Sequence, residues 1–220
     1  MKTYYIYMAV YMVFSLTACI TASITRKKFK NTPLILAPAI LWMGFTAEST
    51  GILHNQLISY HSGWIFNIYG FFFTLLFCWL IYKYLKSERR KRTARFIIAI
   101  TLTVYAIRFF TLESFSDRMI YIQMLELIAY VSLSLLYMIE LFKSDQPLVF
   151  KDSPHFFFIL GYLFFYIVYT PLNVVFDLKL HVFSGEFYIT LKGFQAYALM
   201  LMNAFFIFGF IWTRPVTQTR

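Results

Sequence analysis

Apolar residues run along this chain in long blocks separated by short polar stretches. Seven blocks suit a crossing of a hydrocarbon core, which takes roughly 20 helical residues. They cover residues 4–24, 33–53, 64–85, 96–112, 119–142, 156–176 and 188–212. In lipid an open sheet would leave backbone N–H and C=O groups unpaired, so each block is expected to be a helix. The polar punctuation agrees. Asn31, Thr32 and Pro33 open the second block and Ser153 and Pro154 precede the sixth, with proline where no N–H donor is needed. The expected fold is therefore all-α, one seven-transmembrane-helix bundle spanning residues 1–220. The fourth block is the shortest and carries Arg108, and its failure to cross would invert every later helix.

The basic residues between blocks orient the chain. Arg26, Lys27, Lys28 and Lys30 follow block one, and Lys83, Lys86, Arg89, Arg90, Lys91, Arg92 and Arg95 lie between blocks three and four. Lys143 and Lys151 separate blocks five and six, and Arg214 and Arg220 end the chain. The alternate connections hold only Arg118 and Lys179, and His54 to Gly63 has no Lys or Arg. Cytoplasmic loops carry the excess of Lys and Arg, so the N-terminus is expected outside and the C-terminus in the cytoplasm. That parity requires an odd number of spans. Block one has no small-residue cleavage site before Arg26 and reads as a retained span rather than a signal peptide.

Composition narrows the function. The chain is 60% hydrophobic and only 14% charged, which makes lipid its solvent. Its 27 Phe and 17 Tyr suit an outer surface that meets acyl chains and helix ends that lie near headgroups. A net charge of +10 would suggest nucleic acid in a soluble protein, but here the charges sit in membrane loops, and nucleic-acid binding is rejected. The longest connections leave no room for a soluble catalytic module. Cys19 and Cys78 lie inside apolar blocks, so no disulfide is expected. No internal repeat is evident, so the inverted-repeat signature of many transporters is missing.

Four segments and one single residue together carry a resemblance. These are Lys27 to Pro33 (KKFKNTP) with Glu48 beyond it, Trp64 to Tyr69 (WIFNIY), Ile139 to Asp145 (IELFKSD) and Asn203 to Trp212 (NAFFIFGFIW). The chain resembles an uncharacterised family of small seven-helix membrane proteins of Bacteroidota-type bacteria. The resemblance implies a bacterial inner-membrane location and the same layout, and it brings no activity, ligand or catalytic residue with it.

Polar side chains inside lipid need a reason, because a charge at a helix centre costs roughly 2.5 to 3.5 kcal/mol on insertion scales. At about 1.5 Å per residue, Glu48 lies roughly 9 Å below the outer end of its helix. Asn67, Arg108, Gln123, Glu126, Asn173, Lys192 and Gln195 fall at a similar outer depth. Helical spacing also aligns Thr101, Tyr105 and Arg108, then Gln123, Glu126, Tyr130 and Ser134, then Lys192, Gln195, Leu199 and Asn203. Facing inward, these rows would converge on an outward-opening polar chamber, with Glu48 and Glu126 balanced by Arg108 and Lys192. Buried ion pairs that fix packing, a ligand pocket, and a proton or ion path all remain open readings.

Other chemistry fares worse. His54, His61 and His181 share the outer side but lack ligand spacing, His155 lies opposite, and no metal site is expected. Lys192 sits too near the helix end for a retinal-type Schiff base, and no cofactor is expected. No nucleophile or metal cluster joins Glu48 or Glu126, so no catalytic residue is assigned. The Lys83 to Arg95 segment reads as contact with anionic lipid, or with an acidic signalling partner. The expectation is a non-enzymatic receptor or sensor that binds a small ligand in the outward chamber and signals through a partner. A small transporter or channel is the alternative, and a membrane-embedded enzyme comes third. Reporter fusions after Lys91 and after Arg220 should both report cytoplasm and one at Ser62 the periplasm, whereas opposite sidedness at Lys91 and Arg220 would mean a miscounted span.

Overall fold

The computed structural model describes residues 2–57, 63–111, 120–143, 153–177 and 185–214. Seven α-helices appear among them: α1 (Lys2–Thr25), α2 (Ala37–Leu57), α3 (Gly63–Tyr84), α4 (Glu88–Thr111), α5 (Ile120–Phe142), α6 (Pro154–Asp177) and α7 (Gly185–Trp212). Two 3-10 turns, Arg26–Phe29 and Pro33–Leu36, link α1 to α2. Six of these helices, all but α4, are long and apolar enough to cross a membrane among the described residues. Their outer surfaces fit that solvent. Val13 and Ile128 are each 63% exposed and Ile211 is 61% exposed, a cost no protein in water sustains over so many positions.

The chain divides into two compact units, residues 1–38 with 149–220, and residues 39–148. In the first, α7 packs against both α1 and α6. Tyr11, Ala18 and Ala22 recur on one buried face of α1, with Cys19 buried beside them, and small residues there let the helices approach closely. Tyr7 rests on Tyr197 at 5.6 Å between centroids. Between α6 and α7 the contact is aromatic: Phe206 lies 4.9 Å from both Phe158 and Tyr162, and Phe164 stacks on Phe205. Lys28 of the first 3-10 turn places Nζ 3.4 Å from the carbonyls of Phe210 and Ile211, which supplies a cation and donor where the C-terminal end of α7 runs out of N–H partners.

In the second unit α5 packs against both α3 and α4. Phe73 stacks on Phe77 at 5.3 Å, and the edges of both meet Tyr130, at 5.5 and 5.3 Å. Leu80, Ile81 and Leu133 extend that core and are fully buried. The connection after α3 is held to α5 by Glu140, which pairs with Arg90 at 2.8 Å and accepts the Ser87 N–H at 3.3 Å.

The structure corrects two sequence expectations. The basic stretch between α3 and α4 is mostly helix, since α4 begins at Glu88 and not at 96, leaving only residues 85–87 as connection. Arg and Lys are good helix formers, Glu88 suits the positive end of a helix dipole, and its Oε1 takes the Lys91 ammonium at 2.8 Å. That ammonium holds the Glu88 carboxyl below its ordinary range. His54 lies on the last turn of α2, in edge contact with Trp64, and not in a loop. His61, Arg118, Lys151 and Lys179 fall outside the described residues. Cys19 and Cys78 are free and buried.

The α6 and α7 contact is tight at Gly161, where an added Cβ would sit 2.7 Å from Phe206 and 3.1 Å from the Met202 carbonyl. A backbone carbonyl cannot swing away. Gly161→Ala should therefore cost about 1 to 3 kcal/mol by overpacking. Thermal unfolding in detergent reads it directly, against Gly193→Ala, whose added Cβ meets the Tyr7 ring at a tolerable 3.3 Å and should cost less.

Candidate functional site

Of the polar residues predicted to converge, hydrogen bonds gather one cluster about Glu126 and another about Gln195, each within its own unit. In residues 39–148 the centre is Glu126, half-buried on α5. Its Oε1 accepts hydrogen bonds from the hydroxyls of Tyr105 on α4, Tyr130 one turn on at 3.1 Å, and Thr74 on α3 at 3.3 Å. Thr74 Oγ1 also bonds the Tyr130 hydroxyl and lies 2.7 Å from the Gly70 carbonyl. The three side chains that hold the carboxylate thus come from α3, α4 and α5, the helices that pack together in this unit.

Gly70 makes room for the arrangement. A Cβ there would lie 2.8 Å from the Tyr105 hydroxyl oxygen and 3.0 Å from Glu126 Oε1, so the carboxylate and phenol rest directly on the α3 backbone. Aromatic rings enclose the donors: Phe71 meets Tyr105 edge-on at 5.7 Å, while Phe73 and Phe77 flank Tyr130. Cys78, one turn beyond Thr74, is buried near the same carboxylate.

Glu126 is thus partnered by hydroxyls. Among the described residues no Lys or Arg nitrogen pairs with it, and its Oε2 accepts no hydrogen bond. The expected counter-charge from Arg108 lies outside the described side chains, although that residue sits on α4 one turn after Tyr105. Two more polar atoms on α5 flank the site. Gln123 Oε1 and Ser134 Oγ are buried without a hydrogen-bond partner among the described residues. Ser134 contrasts with Thr17, Ser23, Ser49 and Thr101, whose hydroxyls each donate to a carbonyl one turn back on their own helix. Asn67 is buried on α3 and Glu48 half-buried on α2.

The second cluster lies in residues 149–220. Lys192 Nζ donates to Gln195 Oε1 at 3.1 Å, and Gln195 Nε2 donates to Asn173 Oδ1 at 2.9 Å. Asn173 and Gln195 are buried, and Lys192 Nζ also lies 5.8 Å from the Tyr188 ring centroid. Pro171, two residues before Asn173, removes an N–H that would otherwise bond the Ile167 carbonyl. Asn203, predicted on the same row, instead turns back to the Leu199 carbonyl at 2.8 Å.

Sequence reasoning selected Glu126, Gln123, Asn173, Lys192 and Gln195 but passed over Gly70 and Thr74. Their signal was present: Asn67, Gly70, Thr74 and Cys78 follow one another at helical spacing along α3. No group of three or more His, Cys, Asp or Glu capable of holding a metal occurs among the described residues. Comparison with protein-family models, with curated proteins and with solved structures finds no match.

The contact of Gly70 with the carboxylate cage yields a coupled prediction. Gly70→Ala should lower the melting temperature by an amount equivalent to about 1 to 3 kcal/mol. Tyr105→Phe removes the oxygen that the new methyl would strike, so the cost of Gly70→Ala should shrink in that background. Thermal unfolding of the two single variants and the double variant measures this coupling, and strict additivity would contradict the close approach.

Proposed function

We propose that this protein is a non-enzymatic receptor or sensor of seven spans in a bacterial inner membrane. It takes up a small positively charged ligand from the outer side at Glu126 and signals through a partner. The reading rests on one observation: a carboxylate in a membrane-length helix with hydroxyl donors gathered on Oε1 and, among the described residues, neither a donor on Oε2 nor a basic partner. A charge in lipid requires compensation, and a cationic ligand supplies it. Because the donors come from α3, α4 and α5, filling Oε2 changes a hydrogen-bond set shared by three helices. A ligand that binds one arrangement of that set more tightly shifts the population toward it.

The second reading, a proton or cation path, is favoured by Gln123 Oε1 and Ser134 Oγ. These unpartnered polar atoms extend the Glu126 row in both directions along α5. Liposome flux separates the two, because a transporter or channel moves solute and a sensor does not.

The deciding variant is Glu126→Gln. With hydroxyl donors around Oε1 the amide oxygen still accepts their hydrogen bonds, so no partner cation is stranded. Stability should stay within about 1 kcal/mol of the parent. Sodium, tetramethylammonium, ethanolamine and spermidine serve as probes of the detergent-solubilised protein. At least one should raise the parent's melting temperature and leave Glu126→Gln unmoved, with no uptake into proteoliposomes. A cation response that survives Glu126→Gln, or its absence from the parent, would overturn the proposal.

A further inference from the structure

The run from Lys83 to Arg95, across the end of α3 and the start of α4, holds seven basic residues, and the structure sorts them into two kinds. Arg90 is bound to Glu140 and Lys91 to Glu88, each at 2.8 Å. Lys83, Lys86, Arg89, Arg92 and Arg95 are exposed, and none forms an ion pair among the described residues. Arg89, Arg92 and Arg95 recur every three residues along α4, a spacing that places them side by side on its outer face, while Arg90 turns inward to α5.

Their height relative to the bilayer follows from their neighbours. The apolar span of α3 runs to Tyr84, with Trp79 exposed one turn before its end and the Lys83 ammonium 5.6 Å from the centroid of that ring. On the other side Arg95 is followed directly by Phe96, which is 67% exposed, and by the apolar part of α4. Exposed Trp and Phe at both borders place the basic residues between them in the headgroup layer. Lys and Arg side chains there extend toward phosphates while their stems lie along apolar surface.

We propose that Lys86, Arg89, Arg92 and Arg95, with Lys83 beside Trp79, form a binding surface for anionic phospholipid headgroups. Arg90 is a positioning residue: its pair with Glu140 fixes α4 against α5 so that its neighbours project outward. Lipid is favoured over an acidic protein because the charges lie within about two helical turns of the exposed Trp79 and Phe96 rings, close to the distance over which a bilayer's surface potential acts. A soluble partner would have to displace headgroups to reach them. The surface is independent of Glu126 and of the sidedness of the chain.

The test compares the full chain in nanodiscs of phosphatidylcholine alone and in nanodiscs that also contain phosphatidylglycerol. Melting temperature and the phospholipid retained in native mass spectrometry are the readouts. The parent should melt higher with phosphatidylglycerol and retain it preferentially, and added salt should shrink both effects. Lys86→Gln, Arg89→Gln, Arg92→Gln and Arg95→Gln combined should reduce that retention several-fold and remove the melting difference. Arg89→Lys, Arg92→Lys and Arg95→Lys combined, which keeps the charge, should preserve both. Arg90→Gln should melt lower in either lipid yet keep its preference for phosphatidylglycerol. A parent that does not distinguish the lipids overturns the proposal, even if it binds an acidic protein. Equal loss of preference in Arg90→Gln and in the combined glutamine variant overturns it too, since only net charge would then matter. Should the glutamine variant fail to insert, the salt dependence of the parent decides: a preference that ignores salt rejects the surface.

Discussion

Hydrocarbon offers no hydrogen bond, and this one property of the solvent governs where each polar atom of the chain is found. Backbone groups answer by forming helices. Most hydroxyls in those helices answer as simply, by returning to a carbonyl on their own helix, as Thr17, Ser23, Ser49 and Thr101 do. Such bonds satisfy the side chain without tying one helix to another. The polar groups that reach across to a neighbouring helix are the ones that specify how helices meet.

Two crossings of that kind among the described residues lie inside the apolar helices. On α5, Glu126 collects hydroxyls from α3 and α4 and from its own next turn, and Gly70 admits the group by offering bare backbone. On α7, Gln195 connects Lys192 to Asn173 of α6. The two differ in chemistry. Amide to amide and ammonium to amide bonds use groups whose charge does not change, and they suit a fixed joint. A carboxylate held by neutral hydroxyls is a joint of another kind, since it brings a titratable acid to the contact of three helices. The Glu126 cluster is set among aromatic rings that add contact area around its donors.

The surface obeys the same solvent from the other side. Exposed Val13, Ile128 and Ile211 cost nothing against acyl chains, whereas the exposed basic residues between Lys83 and Arg95 gain only where phosphates or water are present. Arg90 and Glu140 show what happens to a basic residue of that run which turns inward: it requires a carboxylate, and it then serves geometry rather than the surface.

The chain's apolar blocks were sufficient to determine its helices, because block length against bilayer thickness is a one-dimensional property. They also determined which residues needed explaining, since an ionisable group inside such a block stands out by type alone: Glu126 and Lys192 were evident on that ground. The start of α4 was not evident, because Arg and Lys at 89–95 mark a loop by hydropathy but a helix by propensity, and the Arg90 and Glu140 pair that favours the helix joins residues far apart in sequence. Nor did helical spacing settle the partner of Glu126. Charge balance pointed to Arg and Lys, and the Arg108 side chain lies outside the described residues; the hydroxyls on Oε1 come from Tyr130 one turn along α5, from Thr74 through the packing of α3 on α5, and from Tyr105 on α4. A sequence displays the charge that must be compensated. Which of several candidate groups compensates it depends on helix rotation and close approach at a residue such as Gly70, and only tertiary structure decides those.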